Sequence, residues 1–158
     1  MKARDIVRAR GHPLVRGTHP TTFEVTKDET LTAAGDCIIG VAADKGAADL
    51  DPGLKELLRD DRAVLTTRLT AGGETVEVRS QGSAAFTLDH PADLVWRRSD
   101  FVSDRTVGIR SDRVAATLPR EFIEALRRGE ELVVELEAEV SENDAPAERS
   151  SRNPKGFE

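Results

Sequence analysis

Aromatic side chains are scarce in this chain: they make up 4% of its 158 residues, and tyrosine is absent. With apolar residues at 38%, a core must be built chiefly from Val, Leu, Ile and Ala. That suffices for one compact domain, or for two small halves sharing a core. Long apolar runs are missing too. None approaches the ~20 residues of a membrane-spanning helix, and Met1–Arg10 alternates charged with apolar residues instead of opening on a signal-peptide stretch. The single cysteine, Cys37, excludes an internal disulfide and suits a reducing compartment. The expectation is a cytoplasmic protein with no membrane partner. An excess of cations is also lacking: the net charge is −6, so nothing global advertises nucleic-acid binding. Lysine occurs only at Lys2, Lys27, Lys45, Lys55 and Lys155, and all other cationic side chains are arginine. Such usage points to a GC-rich genome or a salt-tolerant host.

An internal repeat is present. Gly11 is followed eight residues later by His19-Pro20, and Gly82 eight residues later by His90-Pro91. Val7-Arg8 answers Val78-Arg79, Gly40-Val41 answers Gly108-Ile109, and Asp36 answers Asp104. Asp44-Lys45 answers Asp112-Arg113, Ala47-Ala48 answers Ala115-Ala116, and Leu50 answers Leu118. A repeat of this length must be recognised before any fold is assigned.

Periodicity predicts the same elements in each copy. In the first copy, period-two alternation gives a strand over 4–10 and another over 21–27, with Phe23 and Val25 inward. A turn at 32–35 precedes an apolar strand over 37–42. Asp51-Pro52 caps a helix with the stripe Leu54, Leu57 and Leu58. A strand over 63–69 ends at Gly72-Gly73, a hairpin signal. In the second copy, strands are expected over 75–80, 94–98, 106–110 and 131–140, with a helix over 119–128 ended by Gly129. Residues 141–158 carry no apolar pattern and read as a disordered tail, with partner docking as its functional alternative.

The expected architecture is α+β and mainly β. Two repeats, about 4–70 and 74–140, make one compact domain over 1–140. As duplicated ββαβ-type units they would form a pseudo-twofold barrel with two short helices, closed so that no sheet edge is exposed. A two-layer α/β sandwich is the alternative. The helix-to-strand segment Leu118–Leu126 with Gly129 and Val133–Glu137 resembles that unit in cradle-loop and AbrB-type barrels.

Longer stretches carry a second resemblance. They are Arg8-Ala9-Arg10-Gly11-His12-Pro13, Thr18-His19-Pro20-Thr21-Thr22-Phe23-Glu24, Gly35-Asp36-Cys37-Ile38-Ile39-Gly40-Val41, Ala43-Asp44-Lys45, Arg98-Ser99-Asp100-Phe101 and Arg105-Thr106-Val107. Over residues 3–140 the chain resembles an archaeal family known as domain of unknown function 371. The resemblance implies an archaeal, cytoplasmic protein and brings no activity with it.

The repeat also sorts candidate functional residues. Features present in both copies serve the shared fold, and features present in one are candidates for function. His19-Pro20 and His90-Pro91 recur, which makes His19 a turn residue. His12 faces Ser83, Cys37 faces Arg105 and Lys45 faces Arg113. The first copy therefore offers a catalytic set of His12, Cys37, Asp36, Asp44 and Lys45, in which imidazole would activate the thiol. His12, His19 and Cys37 are weak candidates for a metal site, since their spacing matches no standard pattern.

A third constellation is cationic: Arg8, Arg10, Arg16, Arg79, Arg97, Arg98 and Arg105 would line a groove for an anion. The competing reading is ordinary Arg–carboxylate pairing at a charged surface. Phosphate-binding loops, zinc-ribbon cysteine pairs and nucleophile elbows are absent. The leading expectation is a binding protein for an anionic ligand, RNA or a phosphorylated small molecule. The rivals are an enzyme using the first-copy set and a structural subunit of a protein assembly. Neither a cofactor nor an oligomeric state is specified.

Overall fold

The computed structural model describes residues 1–32 and 35–141. The centre of the expected turn at 32–35, and the tail beyond Ser141, lie outside the described residues. The elements run β1 (Lys2–Arg10), β2 (Thr22–Thr26), β3 (Ile38–Gly40), a 3₁₀ turn (Ala47–Asp49), α1 (Pro52–Leu58) and β4 (Val64–Ala71). The order then recurs as β5 (Glu74–Gln81), β6 (Asp93–Arg97), β7 (Thr106–Gly108), a 3₁₀ turn (Ala115–Thr117), α2 (Arg120–Arg127) and β8 (Glu131–Glu139). No helix among the described residues is long and apolar enough to cross a membrane.

Local chemistry accounts for most element ends. The Asp51 carboxylate accepts the Leu54 N–H, with Pro52 opening the first turn of α1. Gly72 and Gly73 both have positive φ, 57° and 83°, as a two-residue hairpin between β4 and β5 requires. Gly129, at φ 84°, ends α2. β3 and β7 are shorter than the periodicity predicts. Ala42 and Arg110 turn into the left-handed region at φ 54° and 52°, which breaks each strand after one further bridging residue.

The strands form two four-stranded sheets, and continuous ladders do not close them into the expected barrel. One sheet is antiparallel, in the order β1-β8-β4-β5, and the other is ordered β3-β2-β6-β7. In the second, β2 and β6 are antiparallel at the centre, while β3 and β7 lie parallel to them at the edges. Among the described residues, two isolated bridges, Arg10 to Val41 and Gln81 to Ile109, link the edges of the sheets.

One core lies between the sheets and under the helices. Phe23 and Trp96 pair across β2 and β6 and stack with centroids 4.5 Å apart. Trp96 Nε1 donates to Thr67 Oγ1 on β4 at 2.9 Å, so the indole joins both sheets without an unsatisfied donor. α1 buries Leu54, Leu57 and Leu58, and α2 buries Phe122, Ile123, Ala125 and Leu126. The recurring glycines mark where helix ends meet strand ends. A Cβ on Gly11 would lie 1.9 Å from the Leu126 carbonyl oxygen, and one on Gly82 would lie 2.4 Å from that of Leu58.

Candidate functional site

Strand alternation sends Phe23, Val25, Leu94 and Trp96 into the core, so Thr22, Glu24, Thr26, Asp93, Val95 and Arg97 share the opposite face of β2 and β6. The register sets Thr22 beside Arg97, Glu24 beside Val95, and Thr26 beside Asp93. This outer face is not left to solvent: Glu24 and Asp93 are only 7% and 8% exposed. Two charged residues at such burial need partners.

Their partners come from the edge strands. Arg105, just before β7, donates to Asp93 Oδ2 at 2.9 Å and lies 3.7 Å from Glu24 Oε2. Thr26 Oγ1 donates to Asp93 Oδ1 at 2.7 Å, and His90 Nε2 lies 3.8 Å from Oδ2. Cys37, just before β3, donates its thiol to Glu24 Oε1 at 3.5 Å.

Burial, together with the neighbouring Asp93 charge, pushes the Glu24 carboxyl up to about 7. Burial acts the same way on Asp93, but hydrogen bonds from Thr26, Arg105 and Glu24 outweigh it and hold Asp93 below the usual carboxylate range. Below neutrality the pair therefore carries one proton, on Glu24, which it begins to lose as pH passes about 7.

Arg97 completes the site. Its Nε donates to Thr106 Oγ1 at 2.9 Å, and a terminal nitrogen donates to Ser103 Oγ at 3.1 Å. Both partners are neutral, and among the described residues no carboxylate lies in ion-pair contact with Arg97. Burial and the nearby Arg105 charge lower its pKa, yet a guanidinium stays charged at neutral pH. The site thus holds a half-buried cation fixed by hydroxyls. Beside it, the exposed Phe101 ring lies with its centroid 5.0 Å from the guanidinium carbon.

Other residues singled out in the sequence lie elsewhere. His12 is a turn residue: its Nδ1 accepts the Leu14 N–H, and its counterpart Ser83 accepts the Ala85 N–H in the same way. The difference between the copies at this position is therefore conservative in structure. The Cys37 thiol bonds to Glu24 rather than to His12. Burial and the Glu24 charge push it up to about 11, the reverse of an activated nucleophile.

Asp44 accepts the Arg8 N–H at the edge of β1, and Asp112 accepts the Arg79 N–H at the edge of β5. Lys45 reaches Asp5 at 2.6 Å and the Ile6 carbonyl at 3.0 Å. Asp36 uses its carbonyl to accept the Thr18 and His19 N–H groups. His19 Nδ1 accepts from Thr21 and Thr22, as His90 Nδ1 does from Ala92 and Asp93. Among the described residues no group of three or more His, Cys, Asp or Glu is arranged to hold a metal ion.

The arginines do not converge on one groove. Arg8 and Arg10 lie on β1 and Arg79 on β5, at opposite edges of the first sheet. Arg16 precedes β2, and Arg98 is exposed beyond the end of β6. Cations on the outer face of the first sheet sit opposite glutamates of β8, as in Arg4–Glu137, Arg8–Glu131 and Arg68–Glu135. Of the seven, Arg97 and Arg105 come together.

Glu24 and Asp93 are missing from the candidate set, although each differs from its counterpart, Val95 and Thr22, and so meets the one-copy criterion. The available signal was a carboxylate in mid-strand between Phe23 and Val25.

A family model described as "Domain of unknown function (DUF371)" matches residues 7–139. The chain is also similar to "Uncharacterized protein MJ0206" of Methanocaldococcus jannaschii. The two are 35% identical over 131 residues, 83% of this chain and 96% of that protein. The sequence resemblance and these matches agree, and the chain belongs to the family described as domain of unknown function DUF371.

Proposed function

We propose that the protein binds a small phosphorylated molecule on the outer face of β2 and β6. One observation carries this reading: Arg97 is half-buried, held by Thr106 and Ser103, and adjacent to Arg105, with no carboxylate in ion-pair contact among the described residues. A desolvated cation without a counter-ion is costly in the free protein and is relieved by an incoming anion. Its planar fork is already oriented, so little side-chain entropy is lost when phosphate oxygens arrive. Glu24 supports the same reading, because its proton removes one of the two negative charges that would otherwise repel the ligand.

Calorimetric titration with phosphate monoesters tests it. Binding to the wild-type chain should weaken by about tenfold or more in Arg97→Gln, the loss expected for a charge-assisted hydrogen bond. Undiminished binding in that variant removes the proposal.

An enzyme is the second reading, favoured by the Glu24–Asp93 pair. Such a pair sets one carboxyl near the pH at which it both gives and takes a proton. The proton-transfer group would then be Glu24, not the first-copy set His12, Cys37, Asp36, Asp44 and Lys45.

We further read the chain as a duplicated unit whose two copies wrap a barrel about a pseudo-twofold axis. The recurring element order, the Gly11/Gly82 contacts and the Ala42/Arg110 backbone pair support this. The two single bridges would be its seams. A cytoplasmic location fits the lone cysteine and the archaeal relative.

A further inference from the structure

We infer that the ligand of the β2–β6 face is a nucleoside phosphate, its phosphate beside Arg97 and Arg105 and its base stacked on Phe101. This rests on the anion-binding reading above and adds the other half of the ligand.

Phe101 is 61% exposed in a chain with few aromatic residues. Hydrophobicity gives no reason for a phenylalanine there, since most of its ring gains nothing from burial. Its position is nonetheless defined. The Phe101 N–H donates to Ser99 Oγ at 3.2 Å, and the Arg97 guanidinium carbon lies 5.0 Å from the ring centroid. The same guanidinium is held by the Thr106 and Ser103 hydroxyls rather than by a carboxylate. An anion-binding group and an exposed aromatic surface therefore meet at one guanidinium.

An aromatic ring already held by a cation loses little freedom when a base stacks on it. Stacking tolerates any base, because every base presents a π-face. A sugar phosphate would use the arginines and leave Phe101 idle. A free nucleotide and the 5′ end of an RNA offer the same chemistry.

The test is calorimetric titration of the full chain with AMP, ribose 5-phosphate and a 5′-phosphorylated RNA tetranucleotide. It is repeated on Phe101→Ala and Phe101→Tyr, with an unchanged melting temperature confirming that each variant folds. AMP should bind about tenfold tighter than ribose 5-phosphate, the effect of one stacked base. Phe101→Ala should bring AMP down to the affinity of ribose 5-phosphate measured on the same variant, and Phe101→Tyr should keep the advantage. If the tetranucleotide binds tighter than AMP, the source is an RNA end; if it binds equally or more weakly, the source is a free nucleotide.

Equal affinities for AMP and ribose 5-phosphate in the wild type would overturn the nucleoside inference and leave the anion site standing. So would an equal loss of both ligands in Phe101→Ala. Failure of all three ligands to bind would remove both readings.

Discussion

Glu24 is a carboxyl placed where a strand residue normally meets either water or oil and meets neither. Its proton makes the fold sensitive to pH in a defined direction. Unfolded, the group ionises near 4.5, whereas folded it holds its proton to about 7. Between these values the native state binds more protons than the unfolded chain. The contribution is therefore fully present below 4.5 and is lost as pH rises through 7. The size is on the order of 3 kcal/mol for a shift of this extent. Calorimetric melting at pH 5 and pH 8 should show the wild type less stable at pH 8. Glu24→Gln, which keeps a hydrogen-bonding side chain but cannot ionise, should flatten this difference. A difference of unchanged size in the variant would assign the pH dependence elsewhere.

At the scale of elements, the exposed edges of β1 and β5 are each finished by a loop. Asp44 Oδ1 accepts the Arg8 N–H at 3.0 Å, and its own N–H donates to the Arg8 carbonyl at 3.0 Å. Asp112 does the same with Arg79, at 2.9 Å in both directions. These carboxylates pair edge groups that would otherwise invite another strand. Asp112→Ala should cost about 1 kcal/mol, one hydrogen bond, read as a lower urea midpoint. Asp112→Asn, which retains the acceptor, should recover most of it. Asp44 and Asp112 thus make the same edge contact.

For the whole molecule, the halves are interlocked rather than adjacent. Among the described residues, β1 ladders in the first sheet with β8, and β4 lies between β8 and β5, so both first-half strands take their ladder partners from the other half. In the second sheet the central pairing, β2 with β6, also joins the halves. The His-Pro turns repeat the pattern: the His90 carbonyl accepts the Ala48 N–H, and the His19 carbonyl accepts the Ala116 N–H. A fragment of residues 1–72 should therefore be unfolded by circular dichroism and by amide exchange. Mixing it with the fragment 73–141 should restore native signal. Independent folding of 1–72 would contradict the interlocked core.

Much of this was open to a reader of the sequence, because it depends on neighbours along the chain. The recurring Gly11/Gly82 and His19/His90, the Asp51-Pro52 helix start, the Gly72-Gly73 hairpin and the alternation of β8 are local in origin. So is the mainly β class with two helices. Pairing across the chain was not local. Whether the eight strands made one ring or two sheets depended on how far β3 and β7 continued before the left-handed turns at Ala42 and Arg110. The site was hidden for the same reason. Cys37 and Arg105 stood out as a difference between the copies. Only the antiparallel register of β2 on β6 brought them to Glu24 and Asp93, while it left His12, Asp44 and Lys45 to hold turns and edges. Sequence alone determined which faces were apolar, where turns fell and which local motifs recurred. Tertiary structure decided which carboxylates were buried together and which cations lay beside them, because desolvation and charge pairing act between residues distant in the chain.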